Sequence, residues 1–252
     1  MLTEIALLIL IYMSVVFVIA QIVRDNSIVD VFWGLGFILI AAYSLIQDPV
    51  PDLRKYIVSF LTALWGIRLA IHISLRKRGQ GEDFRYRQWR ETWRYFILRS
   101  YLQIFLLQGL LMFIIASPVY YINFFSAAPL GFFDTLGLVL FGSGFLIETL
   151  ADYQLVEFKK NPANKGKLMT SGLWAVSRHP NYFGEALLWW GLASYALAVD
   201  GGWITLISPV VITLLLRYVS GVPMLEKKFA SHPGWEEYCR NTAPFVPYVK
   251  FF

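Results

Sequence analysis

Apolar residues run through this chain in long blocks, and short polar stretches between them hold most of the charge. Seven blocks, 5–23, 28–46, 57–75, 95–117, 132–150, 182–199 and 203–222, are each long enough for a helix to cross a bilayer, given about 20 residues per span. Pro118, Pro129 and the pair Gly201 and Gly202 fall between blocks, where helices are expected to stop. Glu4 precedes the first block and no Lys or Arg does, so it lacks the basic flank of a signal peptide and reads as a helix. The pattern predicts an all-α fold, a polytopic membrane bundle of about seven transmembrane helices. No internal repeat, linker or low-complexity segment interrupts it, so residues 1–252 read as one integral-membrane domain.

Charge then orients the bundle. With the N-terminus outside, the inner segments are 24–27, 76–94, 151–181 and 223–252, and they hold 17 Lys and Arg residues; the outer connections hold only Arg54 and Lys55. Cytoplasmic loops carry such an excess, so the C-terminus is expected in the cytoplasm. Composition supports the class: 57% of the 252 residues are hydrophobic and 15% charged, where a soluble chain carries about 25% charged residues. A net charge of +5 would suit nucleic acid, but its one-sided placement in loops fits a membrane surface instead. The lone Cys239 excludes an intrachain disulfide, and His72, His179 and His232 have no metal-ligand spacing. The expected partners are membrane lipids and a lipophilic small molecule entering from the bilayer, with no nucleic acid and no metal. The expected location is a multi-pass position in a membrane, the bacterial inner membrane in particular.

Few polar residues fall inside the predicted helices. Asp30 heads the second, Arg68 and His72 lie four apart on the third, and Glu148 and Asp152 lie four apart at the inner end of the fifth. The stretch 172–190, GLWAVSRHPNYFGEALLWW, opens the sixth. Pro180 suits a first helical turn, where its missing N–H had no partner to lose. Asn181 and Glu185 then share a face, and a carboxylate one turn inside an apolar span reads as functional. The alternative is an Asn cap followed by an interfacial carboxylate. Loop 79–90, GQGEDFRYRQWR, admits two readings: a basic loop lying on anionic lipid, or a lid whose Arg85 and Tyr86 meet a phosphorylated or adenine-containing cofactor. Lys159, Lys160, Lys165 and Lys167 form a second basic group, and cations of both kinds suit a polyanion such as NADPH.

The motif GLW-x-x-x-RHPNYFGE, with Asp152, Arg217 and the ending Trp235-Glu236-Glu237-Tyr238 to Phe245-Val246-Pro247, resembles the steroid 5α-reductase superfamily. Its nearest branch is the uncharacterised DUF1295 group, in which ED-x-RY also recurs. Motif coverage is best over 148–247, weaker over 65–90 and poor over the first segment. The resemblance implies a reductase that takes NADPH. Asn181 and Glu185 would hold the nicotinamide end, with Asp152, Lys159, Lys167 and Arg217 also at the cofactor. Arg178, His179 and Tyr182 belong to the same motif, and Arg85 and Tyr86 to the lid. Steroid-active members carry a Gln-Glu pair on the second helix, where this chain has Asp30, and a Tyr on the third, where it has Trp65 with His72 further along.

The implied reaction is hydride transfer to the C=C bond of an α,β-unsaturated ketone in a steroid-like or other lipophilic substrate. A carboxyl or phenol must hold the carbonyl oxygen as enolate charge develops. Asp30 is the candidate, kept protonated by a dry surrounding. Membrane methyltransferases for isoprenylcysteine or phospholipid, which use S-adenosylmethionine, share the RHP-x-Y-x-G string and form the rival class. The late acidic pair of that class is poorly matched by Glu226 and Lys227.

Overall fold

A computed structural model describes residues 1–127 and 129–248, the side chain of Lys228 apart; Lys250, counted above among the inner basic residues, lies outside them. They gather into two compact units, Met1–Leu130 with Val199–Thr205, and Gly131–Ala198 with Leu206–Phe252. Among the described residues, all regular elements are helical.

The first unit contains α1 (Leu2–Val23), α2 (Ile28–Gln47), α3 (Leu53–Lys77), α4 (Phe84–Thr92), α5 (Phe96–Ser100), α6 (Leu107–Ile115) and α7 (Ser117–Phe125). A π-helical stretch, Tyr101–Leu106, joins α5 to α6 as one span. Helices α2 and α3 touch backbone to backbone at Gly34 and Gly66: a Cβ on Gly34 would stand 2.5 Å from the Gly66 carbonyl oxygen. Asp52 caps α3 by accepting from the Arg54 N–H at 2.7 Å. Arg54 and Lys55, the outer pair in the charge count, are both buried. Arg54 donates to Ser126 Oγ at 2.8 Å and to the Pro129 carbonyl at 2.9 Å, while Lys55 meets Asp48 at 2.7 Å. Both cations are therefore engaged within the protein.

The second unit contains α8 (Phe132–Lys160), α9 (Pro180–Leu197), α10 (Ile207–Leu214), α11 (Val222–Phe229) and α12 (Trp235–Asn241), with a second π-helical stretch, Leu215–Val219, after α10. Helices α8 and α9 form its core by close approach at glycines. A Cβ on Gly144 would come within 2.5 Å of the Gly184 carbonyl oxygen, and one on Gly191 within 2.6 Å of the Phe141 amide nitrogen. Helix α8 runs ten residues past the predicted end at 150, so Asp152 and Lys159 stand on its last turns.

Among the described residues, six helices are long and apolar enough to cross a membrane: Leu2–Val23, Ile28–Gln47, Leu53–Lys77, Phe96–Ile115, Phe132–Lys160 and Gly202–Lys227. The protein is an integral, multi-pass membrane protein. The seventh predicted span is present as α9, but Asn181, Glu185 and its Gly, Trp and Tyr residues dilute its hydropathy. Most of α9 is buried by other parts of the protein.

Candidate functional site

In the second unit the predicted residues converge on the start of α9. Pro180 takes the first helical position, and His179 before it is non-helical at φ −141° and ψ 60°. Asn181 then faces α8 and donates from Nδ2 to Asp152 Oδ1 at 3.1 Å. The glycine contacts bring the two backbones close enough for these short side chains to meet. Glu185, one turn on, is buried, as is Glu148 one turn before Asp152. The other amide atom of Asn181, Oδ1, is enclosed and accepts no hydrogen bond among the described residues.

His179 is buried and its ring stacks on Tyr182, with centroids 5.7 Å apart. Its Nε2 lies 3.3 Å from Glu226 Oε1. Burial, helped by the charges of Arg178 and Arg217, holds its pKa below the ordinary histidine value despite the pull of Glu226. A neutral ring that gives its Nε2 proton to Glu226 has an acceptor at Nδ1. That Nδ1 is buried with no partner among the described residues. Both orphaned atoms are therefore acceptors, and both lie within three residues of each other.

Arg178 does different work. Its Nε donates to Glu226 at 2.8 Å and its Nη1 to the carbonyls of Cys239 and Thr242 at 3.2 and 2.7 Å. The Arg178 N–H reaches the Ala243 carbonyl, Ser177 Oγ the Phe245 carbonyl, and the Tyr238 hydroxyl the Trp174 carbonyl. The terminal Trp-Glu-Glu-Tyr to Phe-Val-Pro segment thus straps the motif loop in place, and Arg178 is the buckle of that strap. Arg217 sits half-buried in the second π-helical stretch. Lys159 and Lys167 are exposed.

The first unit builds its own cluster, which the sequence did not announce. Asp30, on the first turn of α2, accepts from Arg85 Nη2 at 3.0 Å and from the Tyr86 hydroxyl at 2.7 Å. The lid residues and the expected substrate acid are therefore one constellation. Helix α4 is held there by the ED-x-RY string itself. Glu82 accepts from the Asn26 N–H at 2.8 Å and takes Arg90 through two bonds of 2.8 Å. Asp83 caps α4, accepts from Arg85 Nε at 2.9 Å, and is tied through its own N–H to Ser27 Oγ. Burial opposes the charge of Arg85, but Asp30 more than restores it and keeps its pKa above the ordinary arginine value. Burial, reinforced by the charge of Asp30, pushes the Tyr86 phenol well above the ordinary tyrosine value, and a hydrogen bond from Gln108 partly opposes it. Trp65 is fully buried and packs edge-on against Phe37, with centroids 5.4 Å apart. His72 is half-buried further along α3.

The model of a family described as a protein of unknown function, DUF1295, matches residues 16–242. This chain belongs to the DUF1295 family. An uncharacterized protein of Schizosaccharomyces pombe is 30% identical over 197 residues, 66% of this chain and 56% of that protein. A Delta(14)-sterol reductase of Gibberella zeae is 34% identical over 95 residues, 30% of this chain and 19% of the reductase. A probable O-methyltransferase of Ustilaginoidea virens is 42% identical over 57 residues, 23% of this chain and 20% of that protein. The chain thus spans little more than half the length of the first and about a fifth of the others. No solved structure matches it. The partial match to a sterol reductase agrees with the place of DUF1295 proteins in the steroid 5α-reductase superfamily.

Within this DUF1295 protein, sequence reading missed Asn26, Ser27, Glu82, Asp83 and Gln108. Glu82 and Asp83 carried a signal, because two acids in a loop full of arginines must either cap or pair. Gln108 carried one too, as an amide in an apolar run.

Proposed function

We propose that this protein is a membrane-embedded reductase that uses NADPH to saturate the C=C bond of an enone in a lipophilic, steroid-like substrate. The observation that carries the reading is the start of α9, where Asn181 Oδ1 and His179 Nδ1 are buried acceptors lacking donors among the described residues. A buried polar atom left unpaired costs about 1–3 kcal/mol, so a ligand bearing N–H or O–H groups is favoured there. A nicotinamide carboxamide and ribose hydroxyls are such groups, and they fit these acceptors alongside the carboxylates of Asp152 and Glu185. Lys159, Lys167 and Arg217 supply cations for the phosphates.

Bound NADPH would supply the hydride. As the hydride adds to the β-carbon, the C=C pair moves to the carbonyl oxygen, and a proton from solvent completes the α-carbon. The carbonyl oxygen needs a donor as its charge grows. Both oxygens of Asp30 already accept hydrogen bonds, so we assign the donor to Tyr86: its single hydroxyl proton would turn from Asp30 to the substrate oxygen as charge grows there, leaving Asp30 paired with Arg85. The high pKa of Tyr86 keeps its proton in place at neutral pH. This refines the expectation that Asp30 itself donates.

The match to a probable O-methyltransferase favours a second reading, methyl transfer from S-adenosylmethionine. Thermal stability of the detergent-purified protein separates the two. NADPH at 100 times its dissociation constant adds about 2.7 kcal/mol of stability, and S-adenosylmethionine should add none. Stabilisation by S-adenosylmethionine alone would reverse the assignment. The reading also places the basic loops in the cytosol, where NADPH is found. A reporter fused after Phe252, a residue outside those described, should read cytoplasmic, and one inserted between Pro118 and Gly131 external. The similar proteins named above are fungal, and the reading needs only that the cofactor end face the cytosol, whichever membrane the protein spans.

A further inference from the structure

We propose that the basic end of the first unit seats one anionic phospholipid, a monoanionic phosphodiester of the phosphatidylglycerol kind. The seat is an open groove of about 440 Å³. Val23, Ile28 and Val31 form its apolar side; Lys77 and Arg78 are its basic residues. Val23 is the last residue of α1, Ile28 the first of α2 and Lys77 the last of α3. The groove therefore lies where three spans end, at the level of the bilayer boundary. A soluble anion would leave its apolar side unused, whereas an amphiphile fills both.

The charges favour one phosphodiester over a polyanion. Lys77 meets Asp25 at 2.6 Å, and Asp25 is held in turn by the N–H and hydroxyl of Ser27 at 3.0 and 2.6 Å. The Lys77 nitrogen is enclosed beside Asp25, so this pair forms a charge-compensated wall of the groove and the phosphate falls to the exposed arginines. Arg78 is exposed, and so is Arg24, next to Val23 with its backbone in the left-handed region at φ 55°. Among the described residues neither arginine has a carboxylate within ion-pair distance. Arg85 and Arg90, by contrast, are spent on Asp30, Asp83 and Glu82. Of the two exposed arginines, Arg78 lines the groove and Arg24 adjoins its wall residue Val23, while Asp25 in the lining repels a second negative charge on the ligand.

The test uses the full-length protein in a neutral detergent, with dioleoyl phosphatidylglycerol, dioleoyl phosphatidylcholine and inorganic phosphate as separate probes. Native mass spectrometry and the thermal midpoint are the readouts. Phosphatidylglycerol should remain bound at one per chain and raise the midpoint; the other two should not. Arg24→Gln and Arg78→Gln should each weaken it about five-fold, the scale of one basic residue facing an anionic lipid. Arg94→Gln, at the α4–α5 turn, should leave it unchanged, and Val31→Trp should block it with every charge kept. Equal retention of the two lipids would overturn the proposal. So would an equal shift from phosphate alone, or an equal loss in Arg94→Gln. Should Val31→Trp fail to fold, the two glutamine variants against Arg94→Gln decide. NADPH takes no part, so the result stands apart from the reductase reading.

Discussion

The Asp30 cluster of the first unit and the start of α9 in the second solve opposite problems with polar groups. In the first, every oxygen of the Asp30 carboxylate has a donor, and acids and arginines around it interlock. In the second, the start of α9 leaves two buried acceptors, Asn181 Oδ1 and His179 Nδ1, without one among the described residues. A satisfied buried network holds its members rigid; an unsatisfied one is costly until something binds. The difference assigns roles. On the proposed function, the Asp30 cluster keeps a chemical group ready and oriented, and the start of α9 takes a donor-rich ligand.

The sharpest way to break that contrast is to act on the first unit alone. Tyr86→Phe should lower turnover with a suitable enone by about 10²-fold or more, the scale of losing one transition-state donor. Asp30→Leu should do the same by freeing Tyr86 and Arg85 from their partner. NADPH affinity should stay nearly unchanged in both. Single-turnover hydride transfer and nucleotide binding, measured on one preparation, check this. Normal hydride transfer in Tyr86→Phe would remove the phenol from the mechanism and return the search to Trp65 and His72.

Next in size are changes at the second unit, which should show the reverse pattern. Glu185→Gln and Asn181→Ala should each weaken NADPH binding, with a charge-assisted bond worth about 1.5–3 kcal/mol. Unchanged affinity in both would make these residues a helix-opening pair and no more. Gly184→Ala should cost about 1–3 kcal/mol by overpacking, because its Cβ would stand 2.6 Å from the Gly144 carbonyl oxygen and the Glu148 nitrogen. A thermal midpoint equal to the parent's would mean that α8 and α9 are farther apart than the structure has them.

Legibility followed the range of the interaction. The starts of α2 and α8 match the predicted 28 and 132, since an apolar run and the polar or Gly and Pro residues before it are local signals. Helix α4 was missed because FRYRQWRET has no apolar run, and it holds its place through Glu82 and Asp83. The pair of Asn181 with Asp152 could be guessed only as two items of one motif set; its 29-residue separation is closed by glycine contacts that periodicity cannot count. Asp30 with Arg85 and Tyr86, 55 and 56 residues apart, was invisible for the same reason. Sequence placed these three in separate substrate and cofactor roles. The two π-helical stretches, one close before Gln108 and one containing Arg217, have no sequence signature at all, yet such stretches recur at functional sites.

The smallest expected effect concerns His179 and tests whether the second unit depends on a neutral ring. Burial lowers its folded-state pKa, so the unfolded chain binds the proton more readily. Stability from this group is therefore fully present above the ordinary histidine pKa of about 6.5. It is lost as pH falls below that value, and the loss levels off once the folded state also binds the proton. Glu226 opposes the effect, and Arg178 and Arg217 reinforce it. His179→Gln cannot titrate but can still donate to Glu226. Its midpoint should fall less than the parent's between about pH 7.5 and 5.5, by 2–4 °C for each kcal/mol in a chain of this size. Subtracting one profile from the other cancels the carboxylates common to both. A difference of opposite sign would mean that Glu226 wins, that the folded ring is cationic, and that Nδ1 is a donor. The start of α9 would then favour a ligand acceptor at that atom, and the role given to His179 in binding NADPH would have to be reassigned.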